Sequence, residues 1–245
     1  MNALTAGQAA NYAKDGFLVI RKVFNQSELE KLLDESARLW ALLAVDKTDR
    51  RIQWRKRVDD CKVADRIDPV LDISPPFEKA ANDPRITRTA GRLLHCTKPE
   101  VFKSKLISKW PLTTGYAMHQ DYTYWPGLGN TPPDDFVTAL LALDRSEAES
   151  GALELFPALH HGKLPPSAYN PKDVDEKEVD QSTGIRPRLN PGDVIFFHSM
   201  TPHRSSPNLS QHNRQSLFFT YVVPGHDDLT RCYYAARPDD FMDPQ

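Results

Sequence analysis

Gly192-Asp-Val-Ile-Phe-Phe-His198-Ser-Met-Thr-Pro-His203-Arg-Ser-Ser-Pro-Asn208 is the stretch on which the fold turns. Asn190-Pro-Gly-Asp193 is strong turn chemistry, and the apolar run Val194–His198 behind it predicts a buried strand that delivers histidines at its end. The same alternation of turn and short strand fills the second half of the chain. Val101–Trp110, Met118–Trp125, Phe136–Leu143, Ala152–Phe156 and Leu217–Val223 are further strand candidates, with Glu149-Ser-Gly151 as another turn. Several short strands with such punctuation predict a sandwich or barrel.

Upstream, the period changes to that of helices. Thr5 caps a short helix that stops at Gly16, and Phe17–Ile20 follows as an apolar strand. Ser27 with Glu30 three residues on is a capping box, opening a helix whose Leu29, Leu32, Leu33, Leu39 and Trp40 share one face. Asp83-Pro84 starts another helix through Arg88, Leu93 and Leu94. Arg50 to Arg57 is basic and weakly periodic, and is expected to be a solvated surface loop. Residues 164–188 are polar and proline-bearing, an excursion of the kind that covers a site.

With 245 residues, 31 basic against 33 acidic and a formal net charge of −2, the chain has no bulk positive charge to bind nucleic acid, even though Trp54 lies in the basic stretch. No run of eighteen apolar residues is present, so no membrane-spanning helix is expected. The first sixteen residues have neither the basic start nor the apolar stretch of a secretory signal, and a cytoplasmic protein is expected. Cys61, Cys96 and Cys232 are odd in number and far apart, as isolated thiols in a reducing compartment are. The expected partner is a small-molecule substrate, with no nucleic acid and no membrane. The sequence assigns no oligomeric state.

Two clusters carry chemistry. In His119-Gln-Asp121, residues i and i+2 of a strand point to one face, so an imidazole and a carboxylate converge. One more imidazole completes the set of two histidines and one carboxylate that holds Fe(II) and leaves positions open. His198 and His203 both stand where a strand end can supply it. Arg214 lies eleven residues beyond His203 at the start of the next strand, where a guanidinium can clamp a carboxylate with two parallel hydrogen bonds.

At these motifs the chain resembles the phytanoyl-CoA dioxygenase (PhyH) family of Fe(II)/2-oxoglutarate-dependent oxygenases. Asp15-Gly-Phe-Leu-Val-Ile20 matches the family's opening strand, and Met118-His-Gln-Asp121 its proximal iron motif. Glu149-Ser-Gly-Ala-Leu-Glu-Leu-Phe-Pro157 with His160 matches its central turn, and the block from Gly192 to Leu217 its distal motif. The resemblance implies a double-stranded β-helix, that is, an α+β, mainly β jelly roll of cupin type with N-terminal helices packed on one sheet. It implies one domain over 1–245, with a helical buttress to about 98, a jelly-roll core over 99–225 and a C-terminal tail from 226. His119, Asp121 and His203 are the implied iron ligands, His203 being preferred for its step to Arg214 and the Ser205–Asn208 pattern behind it.

Arg214 and Ser205 are the implied partners of the distal carboxylate of 2-oxoglutarate. Lys105 is a further implied contact, with Lys103 competing for that role by register. His198 is then a packed strand-end residue, His160 and His161 a turn element, and His95, His212 and His226 surface residues. The chain departs from the family where Pro157-Ala-Leu-His160 replaces Pro-Gly-Ser-His, and where the strand from Phe136 lacks a common tryptophan. Because Asp121 fills the position that related halogenases leave small, the implied reaction is hydroxylation, with O2 consumed and succinate and CO2 as coproducts. Gln120, Tyr122, Tyr124, Trp125 and Arg204 beside the iron motifs are the substrate-side candidates. They suggest a small polar or zwitterionic substrate such as an amino acid derivative or an organophosphonate. A jelly-roll metalloprotein without 2-oxoglutarate chemistry, an isomerase or a binding protein, is the alternative, and it has no use for a buried Arg214; a nucleic-acid demethylase is a further one, set against the net charge of −2.

Overall fold

A computed structural model describes residues 4–45, 48–226 and 228–237. Helix α1 (Ala6–Asp15) begins with Thr5 and Gln8 capping each other and ends at Gly16, whose φ of 80° suits the left-handed stop. The chain passes straight into strand β1 (Phe17–Ile20). Helix α2 (Gln26–Val45) uses a different capping pair from the expected Ser27 and Glu30. The Glu28 amide donates to Asn25 Oδ1 (3.1 Å) and the Asn25 amide to Glu28 Oε2 (2.8 Å). Two overlapping frames carry the same signal, and Arg85, reaching Glu28 at 2.7 Å, is satisfied in the first.

The basic stretch is not a loop. It contains strand β2 (Ile52–Lys56), paired with β3 (Lys62–Ile67) as a hairpin. Ile52 and Gln53 are buried, and the charge of Arg55 is met by Asp65 across the hairpin at 3.0 Å. Helices α3 (Pro75–Ala81) and α4 (Pro84–Leu93) follow, the second capped by Asp83 as expected. Then come β4 (Glu100–Lys109) and β5 (Tyr116–His119). The strand expected over Met118–Trp125 ends at His119, and Asp121–Tyr124 coils into a 3₁₀ turn. Strands β6 (Phe136–Ala142), β7 (Leu153–Leu155), β8 (Val194–His198), β9 (His203–Ser205) and β10 (Arg214–Val222) complete the β structure. Residues 229–236, expected as part of a tail, form helix α5 (Leu229–Ala236), which inserts Tyr233 among Phe102, Trp125 and Phe136.

Seven strands form one antiparallel sheet in the order β1-β8-β6-β10-β4-β3-β2, and β5-β9-β7 form a second. This is the jelly roll, with the hairpin extending its larger sheet. Alternation along β10 divides the layers. Leu217, Phe219 and Tyr221 face the helices, where Leu29, Leu32 and Leu39 of α2 and Ile86 of α4 cover them. Phe218 faces the interior with Leu140, Ile195 and Phe197, against Leu155 of the small sheet. Each such side chain, fully buried, contributes about 1.5–3 kcal/mol. The excursion 164–188 folds onto the small sheet, with the Val174 amide donating to the Met118 carbonyl (2.8 Å) and Val174 and Val179 packed on Phe156.

Gly16 joins α1 and β1 to the end of β8. Its carbonyl accepts from the His198 amide (2.8 Å) and from Thr201 Oγ1 (2.7 Å), and a Cβ there would lie 2.6 Å from His160 Nδ1. Gly16→Ala is therefore expected to cost about 1–3 kcal/mol in urea denaturation, from the left-handed backbone and the clash together.

Candidate active site

Strand β5 ends in His119, extended Gln120 carries the chain on, and Asp121 opens the 3₁₀ turn. The extended residue between them makes the two side chains converge although the strand itself has stopped. His203 opens β9 directly opposite His119 in the sheet register. Asp121 Oδ1 lies 3.7 Å from His119 Nε2 and 4.0 Å from His203 Nε2. One donor atom from each of the three lies within 4.8 Å of the others. Among the described residues this is the only such group of histidine, cysteine and carboxylate side chains.

The backbone sets both imidazoles for a metal. His119 Nδ1 is 2.7 Å from the Ala117 carbonyl and His203 Nδ1 is 2.9 Å from the Thr201 carbonyl. A carbonyl only accepts, so each Nδ1 carries the proton and each Nε2 lone pair faces the cavity. Burial, with His119 beside it, pushes His203 down to about 3, so the ring is neutral at physiological pH. Burial alone would raise the Asp121 carboxyl. Lys105, the leading opposing influence, outweighs it, and Asp121 is held well below the usual carboxylate range. Two neutral nitrogens and an ionised carboxylate are the donor set that ferrous iron takes.

The triad opens on a cavity of about 360 Å³. Arg214, at the start of β10, lines it and is 5% exposed, yet its Nε is buried with no hydrogen-bond partner. A buried donor in that condition costs about 1–3 kcal/mol, so a guanidinium held there fits a bound carboxylate. Ser205 lines the cavity too, its hydroxyl accepting from Lys109 Nζ at 2.9 Å. Lys109 is the direct cross-strand partner of Arg214.

Both competing lysines line the cavity, but in different states. Lys103 Nζ donates to the Tyr233 hydroxyl (2.7 Å) and stands 3.5 Å from Asp68. Lys105 Nζ sits 4.6 Å from the Phe218 ring centroid and is pushed down to about 7 by burial, which Asp121 only partly offsets.

Of the substrate-side candidates, Tyr124 and Trp125 line the cavity. Gln120 faces away from it, tying loops together through the Gly162 and Met200 carbonyls (both 2.8 Å) and the Leu164 amide (2.9 Å). Tyr122 packs on Trp125 and Phe136, with its hydroxyl on the Thr131 carbonyl. Arg204 reaches the wall with its guanidinium already on Glu154 (2.7 Å) and Glu176 (2.5 Å). His198 sits at the end of β8 with its Nε2 3.1 Å from Asp134, and His160 packs between His161 and His198. His95 and His212 are exposed, and His226 is half-buried beside Asp135.

Polar cavity residues that sequence reasoning did not single out are Gln53, Asp65 and Arg66 of the hairpin, with Tyr116, Asp173 and Tyr233 from elsewhere in the chain. The Ile52–Lys56 alternation is a signal for Gln53 alone.

Lys109 supplies a pH test. Burial, then Arg214 and Arg55, push it down to about 6, whereas an unfolded lysine titrates near 10.4. Between those values the unfolded chain binds the extra proton, so stability rises with pH across the window. The metal-free Lys109→Met variant is expected to show a smaller rise in urea midpoint from pH 6 to 10 than the unsubstituted chain.

Comparison with known proteins agrees with this geometry. The chain is 26% identical over 242 residues to the methylphosphonate hydroxylase of Gimesia maris, an alignment covering 97% of this chain and 88% of that protein. It is 25% identical over 247 residues to the peroxisomal phytanoyl-CoA dioxygenase of Homo sapiens, covering 88% and 68%. The crystal structure of EctD from S. alaskensis with 2-oxoglutarate and 5-hydroxyectoine superposes with a TM-score of 0.77 at 22% identity, covering 91% of this chain and 77% of that one, and so shares its fold. The profile of the phytanoyl-CoA dioxygenase (PhyH) family matches residues 12–216, and the chain belongs to that family of non-haem Fe(II)/2-oxoglutarate-dependent oxygenases.

Proposed function

We propose that this enzyme hydroxylates a small anionic or zwitterionic metabolite, an organophosphonate or amino acid derivative, and that the site residues divide the work as follows. His119, Asp121 and His203 hold Fe(II). Arg214 and Ser205 fix the distal carboxylate of 2-oxoglutarate, and Lys105, close enough to act on Asp121, adds a donor beside the metal. Fe(II) bound there supplies oxidation of a substrate C–H bond by O2 as 2-oxoglutarate becomes succinate and CO2. The chain's own part is to fix the ligand tautomers, orient the cosubstrate through Arg214, and exclude water with Tyr124, Trp125, Phe218 and Tyr233. Cys61, Cys96 and Cys232 are free thiols, in keeping with a reducing, cytoplasmic setting.

The observation that carries the substrate reading is the cavity itself. It holds about 360 Å³, room for 2-oxoglutarate and one small molecule, and its wall brings Arg55, Arg66, Lys103, Lys105 and Arg214 against Asp65, Asp121 and Asp173. The likeness to a methylphosphonate hydroxylase points the same way. The test is succinate release with Fe(II), 2-oxoglutarate and O2 across alkylphosphonates, amino acid derivatives and acyl thioesters. Coupling to a small acid is expected. Coupling to long acyl thioesters alone would overturn the reading.

A further inference from the structure

We propose that the β2–β3 hairpin forms a second anion subsite in the cavity, where the Gln53 amide and the Arg66 guanidinium hold the oxyanion head of the primary substrate. The inference rests on the small-anion reading above and names the residues that recognise the anion.

Gln53 and Arg66 are direct cross-strand partners, so their side chains leave the sheet together on one face, and both line the cavity. A β-bulge follows Gln53 at the step to Trp54, a device that re-aims side chains beside active sites. The two residues are 5% and 8% exposed, yet Gln53 Nε2 and Arg66 Nε are both buried without a hydrogen-bond partner. Folded chains leave few buried donors unpaired, and each costs about 1–3 kcal/mol. Two of them, on paired residues that both line one cavity, are explained by a ligand that accepts from both.

Tyr116 of β5 and Asp65 of the hairpin hold the guanidinium still while leaving that donor free. Arg66 Nη2 donates to the Tyr116 hydroxyl (2.8 Å), which donates on to Asp65 (2.9 Å). The two carboxylates that Arg66 feels are already engaged: Asp65 with Arg55 at 3.0 Å, and Asp68 with Lys103 and Arg237, both at 3.5 Å. Four cations, Arg55, Arg66, Lys103 and Arg237, thus share two carboxylates, and the cluster keeps net positive charge for a ligand.

This subsite is separate from the one at Arg214. Arg66 pairs with Ile107 on one side of β4, and Arg214 pairs with Lys109 on the other. Their backbones are two strand spacings apart, roughly 10 Å. One cation per anionic group follows, Arg214 for the cosubstrate and Arg66 for the substrate. A guanidinium fork with an amide N–H suits either a phosphonate or a carboxylate.

The experiment is anaerobic calorimetric titration of the full chain, loaded with Fe(II) and 2-oxoglutarate, with methylphosphonate in one arm and acetate in the other. The arm that binds more tightly identifies the head group. Arg66→Gln and Gln53→Glu are each expected to weaken that binding about tenfold or more, the first by removing the charge and the second by repelling the anion. The affinity for 2-oxoglutarate is expected to stay within about twofold, as for independent sites. Gln53→Glu leaves the Arg66–Tyr116–Asp65 chain intact, so a loss there is not a folding defect. Unchanged anion binding in both variants overturns the subsite alone, as does a matching loss of 2-oxoglutarate affinity. Failure of the unsubstituted chain to bind either probe overturns the subsite together with the reading it rests on.

Discussion

Asp121→Ala is expected to leave the protein folded but without iron and without turnover. Asp121 is the one anionic donor of the triad, and it is held ionised in a buried position chiefly by Lys105. Partners that merely orient metal ligands are worth about 10–100-fold in metal affinity, so loss of the charged ligand itself should exceed about 100-fold. The fold should survive, because Lys105, already pushed down to about 7, can shed its proton once the carboxylate is gone. Asp121→Asn separates charge from shape and should fail nearly as badly. Iron content per chain and succinate release measure both effects. A variant that keeps more than about a tenth of the bound iron would show that position 121 is not a ligand.

Arg214→Gln should do the converse, sparing the metal and losing the cosubstrate. Arg214 is buried, touches none of the triad, and keeps an unpartnered Nε in the cavity. Removing one member of a buried charge pair costs about 2–5 kcal/mol, which is about 30-fold or more in 2-oxoglutarate affinity. Arg214→Lys keeps the charge without the fork and should fall between. The readouts are 2-oxoglutarate titration and iron content on the same samples. Equal loss of both would make Arg214 a residue of the fold instead, and unchanged 2-oxoglutarate binding would favour a jelly roll that does not use the cosubstrate.

Much of this architecture was legible because local chemistry and tertiary structure agree. Thr5, Gly16, Asp83 and the run Val194–His198 satisfy their own backbone needs, and the structure uses each as its sequence suggests. The convergence of His119 and Asp121 was legible from their i, i+2 spacing on an extended segment, and His203 from the motif that the resemblance supplied, which the structure sets opposite His119. The hairpin was not. Lys and Arg side chains in Arg50–Arg57 hid the burial of Ile52 and Gln53, because the pairing of Arg55 with Asp65 and of Arg51 with Asp72 exists only once the chain has folded. Arg204 misled in the opposite sense, its charge being spent on Glu154 of the neighbouring strand β7 and Glu176 of the excursion. Gln120, a substrate-side candidate by its place in the His119–Asp121 motif, is the opposite case. An extended residue between two that face the cavity must face away, as its hydrogen bonds show. Helix α5 was missed because Tyr233 and Tyr234 find their partners, Phe102 and Asp68, only in the folded chain.

The central claim is that the His119–Asp121 pair and an imidazole distant in sequence meet at one ferrous ion, with His203 and not His198 as that imidazole. Anaerobic titration with Fe(II), then with 2-oxoglutarate, compares the unsubstituted chain with His203→Ala and His198→Ala. One iron per chain and one 2-oxoglutarate per iron are predicted for the unsubstituted chain and for His198→Ala, with neither bound tightly by His203→Ala. Iron retained by His203→Ala and lost from His198→Ala would contradict the account.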